Sequence, residues 1–317
     1  MARLGKNVIN FMALRRSASV GSLIAVVLSI GILAFNGLNF GLDFTGGTSI
    51  EFEYKEAPSL DAVRQTLDAA GYEEFVVQNF GEDTSVLVRL PQDFDDSLGR
   101  KMAADLRANG DQVDMVRAEF VGSQVGDELK EDSGLGMLLA LFVVLIYVGM
   151  RFQFKFGVAS VLPLAHDVIV VLGIFSLFQW TFDLSVLAAL LAIIGYSLND
   201  TIIVSDRIRE NFRKFRTGTT EDIVNQSITE TLTRTLNTSG TTLAVLISLY
   251  LVGGEAIHNF AVALIIGIVV GTYSSIYVSA NLLILLGVTR EDLIVPAKEG
   301  AGEATDEEQP PEWLNRM

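Results

Sequence analysis

Six apolar segments dominate the chain, and each approaches the length that crosses the hydrocarbon core of a lipid bilayer. That core is about 30 Å thick, and an α-helix needs roughly 20 predominantly apolar residues to span it. The pattern therefore predicts a multi-pass α-helical membrane protein with six transmembrane helices. The predicted spans are residues 17–35, 135–150, 156–180, 184–204, 236–252 and 260–286.

The composition of the 317-residue chain supports this class and argues against others. Half of the residues are hydrophobic, 19% are charged, and the mean hydropathy of +0.41 is too high for an ordinary soluble domain. With no cysteine and two histidines, the chain has no thiolate for catalysis or zinc binding, and we expect no metal and no cofactor. A net charge of −15 argues against a nucleic-acid partner, whose phosphates need a basic surface.

Lysine and arginine are confined to alternate connections between the predicted spans. Positively charged residues resist translocation, so the connections that carry them are expected in the cytoplasm. The connections at 179–183 and 253–259 carry none. Both termini are therefore predicted to be cytoplasmic. The basic residues that set this orientation are Arg3, Lys6, Arg15, Arg16, Arg151, Lys155, Arg207, Arg209, Arg213, Lys214, Arg216 and Arg234.

A polar segment of domain size, which we call the outer domain (residues 37–133), separates the first two spans. It carries 8 basic and 21 acidic residues and is predicted to lie outside the cytoplasm. Its pattern predicts the order β-α-β-β-α-β, which is that of an α+β ferredoxin-like domain. The strands are expected at 48–54, 74–80, 85–90 and 112–120, with a turn at 81–83, the helices at 59–70 and 95–108, and a helical lead into the second span at 125–132.

These features divide the chain into four parts. Residues 1–36 form the cytoplasmic N-terminus and first span, and residues 37–133 the periplasmic ferredoxin-like domain. Residues 134–288 hold the other five spans, and residues 289–317 form an acidic cytoplasmic tail that is predicted to be disordered from Pro296 onward.

A few ionisable groups lie within the spans or at their edges. Such a residue costs about 2.5 to 3.5 kcal/mol at the centre of a membrane helix and is by default functional. Asp167, next to His166, lies in the third span, Asp200 in the fourth, and Arg234 at the start of the fifth. Asp200 and Arg234 should lie at similar depth and are natural partners. A nearby guanidinium stabilises an ionised carboxylate whereas burial disfavours it, so movement of one arginine can switch the proton affinity of the site.

Structural roles and other functions stay open for these groups. Asp200 and Arg234 could form a static structural ion pair, and Asp167 could do no more than hydrogen-bond a neighbouring helix. An intramembrane aspartic hydrolase could instead use Asp167 and Asp200 as a pair, although such pairs need carboxylates about 3 Å apart. A small-solute proton antiporter is disfavoured, because six spans are half of the usual twelve in the wider superfamily that such exporters belong to.

Small residues recur every fourth position on two of the spans, which permits close helix packing. Structural packing is the favoured interpretation of both ridges. The ridge on the sixth span comprises Ala263, Gly267, Gly271, Ser275 and Ser279, and the one on the fifth comprises Gly240, Ala244 and Ser248.

Several motifs stand out along the chain: GLDFTGGT at 41–48, GYSLNDTIIVSDRIREN at 195–211, TRT at 233–235, TSGTT at 238–242 and GTYSSI at 271–276. They resemble those of the SecD/SecF family of protein-export membrane proteins, which belongs to the resistance-nodulation-division superfamily. The resemblance covers nearly the whole chain up to about residue 286.

The resemblance implies a non-enzymatic, multi-pass subunit of the bacterial inner membrane that uses the proton gradient to promote export of unfolded proteins. The implied partners are a SecD-like subunit, the SecYEG channel, the SecA ATPase, the exported polypeptide, protons and the lipid bilayer. The proton-coupling residues of the family fall on Asp200 and Arg234, and its glycine-rich turn predicts a hinge at Gly41, Gly46 and Gly47. The candidates for an accompanying polar relay are Ser197, Asn199, Thr201, His166 and Asp167.

Overall fold

A computed structural model describes residues 8–73, 75–91, 96–108, 110–151, 154–215 and 217–289 of the chain. Within this described part, 6 helices are long and apolar enough to cross a membrane, which confirms the predicted multi-pass architecture. The predicted acidic tail lies outside the described residues except for its first position, 289.

The outer domain contains a four-stranded antiparallel sheet with two helices on one face. Its elements are β2 (Gly47–Tyr54), α3 (Leu60–Ala69), β3 (Val76–Phe80), β4 (Glu82–Leu90), α4 (Asp96–Ala108) and β5 (Val113–Val121). The strand order β3-β4-β2-β5 is that of a ferredoxin-like fold, as predicted. One boundary was wrong: Glu82 already pairs with Phe80, so the turn is centred on Gly81 and residues 82 and 83 belong to β4.

Alternating side chains of the central strands form the core of this domain. Ile50 and Phe52 on β2 are completely buried, and they pack with Leu67 of α3 and Met102 of α4. Burial of each such side chain contributes about 1.5 to 3 kcal/mol. The other sheet face, which carries Glu51 of β2 and Arg117 of β5, is polar, so the hydrophobic alternation fixes which face the helices cover.

The membrane part begins with α1 and continues from the end of the outer domain. Its helices are α1 (Arg15–Asn36), α5 (Ser123–Arg151), α6 (Phe154–Phe178), α7 (Leu184–Lys214), α8 (Thr220–Val252), α9 (Glu255–Ser274), a π-helical turn (Ser275–Ser279) and α10 (Ala280–Leu285). The predicted domain boundary at 133 falls inside α5, because the expected lead at 125–132 and the second span form one uninterrupted helix.

The outer domain is attached to the bundle at further points. A short strand β1 (Asn39–Phe40) pairs in parallel with β6 (Thr181–Phe182) in the connection between α6 and α7. The intervening one-turn helix α2 (Leu42–Thr45) packs against α5, and its Phe44 is buried against Phe182. The start of the outer domain is therefore fixed to the same connection that leads into α7.

The six spans differ in how much of their surface the chain itself covers. In the most apolar stretch of each helix, 56% of the residues are buried in α6, 44% in α7 and 56% in the last span. The corresponding shares are 11% for α1, 6% for α5 and 17% for α8. The inner helices of this chain are therefore α6, α7 and α9, while α1, α5 and α8 present most of their surface to lipid or to a partner.

The helices α7 and α8 continue beyond the apolar spans at the end opposite the outer domain. With 31 and 33 residues they are about 47 and 50 Å long, well beyond a 30 Å hydrocarbon core. The segment before α1 docks onto this extension. The Met12 N–H donates to Asn225 Oδ1 at 2.9 Å, and Arg15 forms an ion pair with Glu221 at 2.8 Å.

A glycine substitution tests the junction between α2 and the sheet. Gly47 has φ +104°, and a methyl group there would overlap the backbone carbonyl of Leu90, whereas Gly71, with φ +83°, has no neighbouring atom within 4 Å of that position. Gly71→Ala should cost about 1 to 2 kcal/mol from backbone strain alone, and Gly47→Ala clearly more, because a backbone group must also move. Limited proteolysis of the outer domain across a temperature series measures both variants of the full chain. Equal shifts of the cleavage midpoint for the two variants would contradict this account.

Candidate functional site

Asp200 lies on the inner face of α7 and forms no hydrogen bond or ion pair through its side chain with any described residue. Its side chain belongs to a residue that is only 2% exposed, and its Oδ2 has no hydrogen-bond partner among the described residues. Three buried hydroxyls on α7 and α8 are likewise unpartnered within the described part of the chain. These are Thr201 Oγ1, Ser205 Oγ and Thr235 Oγ1. A carboxyl group in such surroundings responds strongly to a proton or a cation that becomes available, because nothing else offsets its charge.

Arg234 lies on α8, on the exposed side of the helix. It lines a cavity of about 500 Å³ that opens between α5, α7 and α8. The cavity is mostly polar at its α7 side, where Asp206, Arg207 and Glu210 face it, and Glu230 joins them from α8. Arg207 forms ion pairs with Glu210 at 2.7 Å and Glu230 at 3.4 Å. Arg234 makes no ion pair with any described residue.

Asp200 and Arg234 are neighbours in this conformation but do not touch. Arg234 is the charged group that acts electrostatically on Asp200. Even so, no nitrogen of Arg234 lies within 4.0 Å of a carboxylate oxygen of Asp200 in the described structure. The sequence predicted natural partners at similar depth. The structure places one of them in the interior and the other in an open groove, so the static ion pair is absent from this state.

Asp167 has the opposite environment. It is 1% exposed, and its Oδ2 accepts hydrogen bonds from Ser197 Oγ of α7 at 2.6 Å and from Ser274 Oγ of α9 at 2.8 Å. Its Oδ1 lies 2.9 Å from Nδ1 of His166. The carboxyl group therefore joins the three inner helices at one point. It makes no hydrogen bond to Asp200, so the geometry does not support an aspartic hydrolase.

The close approach of α7 and α9 depends on the predicted small-residue ridge of the last span. A methyl group on Gly267 would overlap the side chain of Ile193, and one on Gly271 would lie 3.1 Å from Ser197 Cβ. The packing role predicted for this ridge is therefore seen in the structure. On α8, by contrast, Gly240 has no atom within 4 Å of its missing side chain, so that part of the shorter ridge faces outward.

A second polar contact joins α7, α8 and α9. The Ser239 hydroxyl of α8 lies 2.8 Å from that of Thr272 on α9, and the Tyr196 hydroxyl of α7 donates to Ser239 at 3.5 Å. The sequence analysis placed these residues and Ser274 in the motifs at 195–211, 238–242 and 271–276 but predicted no contact for them. The available signal was their polarity inside apolar spans, with Thr235 and Ser239 one helical turn apart on α8.

The remaining candidates for the polar relay separate into two groups. Ser197 and Thr201 are buried with Asp200 on the inner face of α7, and Ser197 donates to Asp167. Asn199 lies on the exposed face of the same helix. The relay role of these residues stays a prediction.

The predicted hinge glycines lie in a packed segment. Gly41 has φ −71°, an ordinary value, and its N–H donates to the Phe182 carbonyl at 2.7 Å. Gly46 and Gly47 have φ +67° and +104°, which glycine adopts without strain. The hinge role stays a prediction, and any rotation there would have to release Phe44 from its contacts.

The two glycine ridges provide a matched test of helix packing. Gly267→Ala should destabilise the bundle by about 1 to 3 kcal/mol, because the added methyl group forces Ile193 to move. Gly240→Ala meets nothing and should be neutral or slightly stabilising, since alanine favours a helix by up to about 1 kcal/mol over glycine. Thermal unfolding of the purified chain in detergent compares them. A larger loss for Gly240→Ala would show that the packing is assigned to the wrong helix face.

Comparison with protein-family models gives two matches. Residues 31–58 match the SecD/SecF GG motif, and residues 101–289 match the model for the C-terminal part of the protein export membrane proteins SecD/SecF. The first of these contains the glycine-rich segment after α1, and the second contains Asp167, Asp200 and Arg234.

Similar proteins cover almost the whole chain. A protein translocase subunit SecF from Vibrio alginolyticus is 49% identical over 303 residues, which is 94% of this chain and 96% of the relative. One from Pseudomonas aeruginosa is 50% identical over 290 residues, which is 91% of this chain and 94% of the relative.

Two solved structures share the fold. The crystal structure of SecDF, a translocon-associated membrane protein from Thermus thermophilus, matches with a TM-score of 0.81 at 38% identity. SecDF in a form called super-membrane-facing matches with a TM-score of 0.67 at 37% identity. Each match covers 90% of this chain and 40% of the SecDF chain, so this chain spans less than half of those proteins. At nearly equal identity, the different TM-scores indicate that the two SecDF structures differ in conformation.

Proposed function

The chain belongs to the SecD/SecF family of protein-export membrane proteins, and we propose that, as a SecF-type translocase subunit, it uses the proton gradient across the bacterial inner membrane to promote export of unfolded polypeptides. The observation that carries the proton-coupling part is the buried, unpaired carboxyl group of Asp200 beside an arginine that lies outside ion-pair distance. The chain acts as a coupling subunit with no catalytic residues of its own.

A SecD-like subunit is the main partner of the chain. The SecDF chains contain this fold within 40% of their length, and the family pairs SecD with SecF. The sparsely covered faces of α1, α5 and α8 leave ample surface for such a partner. We extend the proposal to the SecYEG channel and the SecA ATPase, which supply the exported polypeptide, on the strength of the family resemblance.

The coupling step follows from the electrostatics of the pair. When Asp200 carries a proton it is neutral, and Arg234 gains no electrostatic stabilisation by leaving the polar cavity that it lines. When Asp200 releases that proton, the buried negative charge attracts the guanidinium, which draws α8 toward α7. A membrane potential of 100 mV is worth about 2.3 kcal/mol per charge, which is enough to bias such an equilibrium by more than tenfold.

Movement of α7 has a direct route to the outer domain. The first backbone N–H of α7, at Leu184, donates to Asp43 Oδ2 at 3.0 Å, and Asp43 belongs to α2 at the entrance of the outer domain. The paired strands β1 and β6 add a second connection at the same place. A displacement that begins at Asp200 can therefore reach the outer domain.

The proposed orientation places both termini in the cytoplasm and the outer domain in the periplasm. The chain has no cysteine, so single cysteines can be introduced without background. We expect Asp83→Cys, on β4, to react with a membrane-impermeant maleimide on intact spheroplasts, and Lys214→Cys, at the end of α7, to react only after lysis. The reverse pattern would overturn the orientation.

The proton-coupling role is tested by removing one charge. Asp200→Asn should leave folding and membrane insertion intact and reduce the proton-dependent part of export at least about tenfold. Asp68→Asn, on the exposed face of α3 and far from the cavity that Arg234 lines, is the matched control and should retain export. Export into sealed vesicles that contain the chain with its SecD-like partner measures both. Full proton-dependent export by Asp200→Asn would refute the proposal.

A further inference from the structure

His166 and Asp167 form a buried ionisable pair in the middle of α6. They are 8% and 1% exposed. The proposed coupling of Asp200 and Arg234 makes no use of them. A structural role explains Asp167, which connects three helices, but it does not explain why a histidine is buried beside it.

Hydrogen-bond accounting gives the protonation pattern of this pair for an ionised Asp167. Oδ2 of Asp167 accepts from Ser197 and Ser274, and an ionised carboxylate offers only acceptors. With Asp167 ionised, Nδ1 of His166, 2.9 Å from Oδ1, carries a hydrogen and donates it. A neutral imidazole has only one N–H, so its Nε2 is bare. That nitrogen is buried and has no hydrogen-bond partner in the described part of the chain.

Few other charges surround the pair. The helices packed against α6 are α1, α5, α7 and α9 with the turn and helix that follow it. The membrane-spanning part of α7 contributes Asp200, and those of the other helices carry no charged residue. The tyrosines on these helices stay neutral near pH 7, where phenols do not ionise. They are Tyr147, Tyr196, Tyr273 and Tyr277.

The pair is therefore electrically unbalanced until it takes up a proton. With a neutral ring it has a net charge of −1 in a medium where uncompensated charge is costly. A hydronium ion transfers one proton to Nε2 and becomes water. The His166–Asp167 pair is then an imidazolium–carboxylate pair with no net charge. Ser197 and Ser274 then hold the carboxylate in place as the counter-charge.

We propose that Nε2 of His166 is a second proton-binding site within the membrane, with Asp167 as its fixed counter-charge. Ser197, which donates to Asp167, precedes Asp200 by less than one turn of α7, so the two sites share a helix face. The value of this site for export rests on the proposed proton coupling, whereas its protonation does not.

The two histidines of the chain make the site directly observable. We would label the chain with ¹⁵N-histidine and record solid-state NMR spectra in lipid bilayers together with its SecD-like partner. His258→Gln, which removes the other histidine, at the outer end of α9, assigns the signals. At about pH 9 we expect His166 to be protonated at Nδ1 and bare at Nε2, and at about pH 5 to be protonated at both nitrogens.

Two outcomes would overturn the proposal. One is a ring with hydrogen on Nε2 and a bare Nδ1 at high pH, and the other is a bare Nε2 that persists at about pH 5. Asp167→Asn, which removes the counter-charge but keeps the side-chain shape, should abolish proton uptake over this range. The spectra of the unmodified chain decide the matter even where that variant does not fold.

The result of this NMR test does not depend on whether the proposed function is correct. If Asp200→Asn kept full proton-dependent export, the coupling proposal would be refuted, and the protonation of His166 would be unaffected. If the His166 ring took up no proton, this second site would be refuted, and the effect of Asp200→Asn on export would be unaffected.

Discussion

The cost of an uncompensated charge in the bilayer interior is the constraint on which the arrangement of this chain depends. Two carboxylates lie inside the membrane part, and the chain treats them differently. Asp167 has its acceptors filled by Ser197, Ser274 and His166, so its charge is distributed over three inner helices. Asp200 has no such partners, and the arginine that could compensate it stays in an open groove. Asp167 is thus a fixed carboxylate that connects the inner helices, and Asp200 is a carboxylate with no fixed counter-charge.

The packing around Asp167 determines which helices are held together and which are left free to move. Gly267 and Gly271 let α9 approach α7 closely, which forms a rigid inner pair, while α8 remains largely uncovered. A charge change at Asp200 would then shift the α6–α7–α9 core as one body relative to α8 and Arg234. The outer end of that core is attached to the outer domain through Asp43 and the β1–β6 pair. Gly267 and Gly271 therefore serve the packing of the core through which the proposed movement would be transmitted.

Much of the fold could be predicted because it rests on periodicity. Hydropathy gives the six spans, and the alternation in segments such as 48–54 gives the ferredoxin-like strand order. Hydropathy does not reveal which helices are inside, because lipid and protein interior are equally apolar, so the central position of α6 emerged only from the structure. It also missed that α7 and α8 continue beyond the spans, because the buried side chains there, such as Ile208, Phe212 and Ile223, alternate with polar residues instead of forming a continuous apolar run. The motifs gave Asp200 and Arg234, but the gap between them, and Ser274 as a partner of Asp167, depend on tertiary packing that local pattern does not encode.

Infrared difference spectroscopy of the chain with its SecD-like partner in lipid bilayers tests the central claim most directly. The account predicts that acidification produces a carboxylic-acid C=O stretch, which is lost on return to alkaline pH and is absent from Asp200→Asn. The protonated and ionised forms of Asp200 would then both be populated in the working protein. A spectrum in which this carboxyl group keeps one charge state at every pH would contradict the account and leave Asp200 and Arg234 with a structural role only.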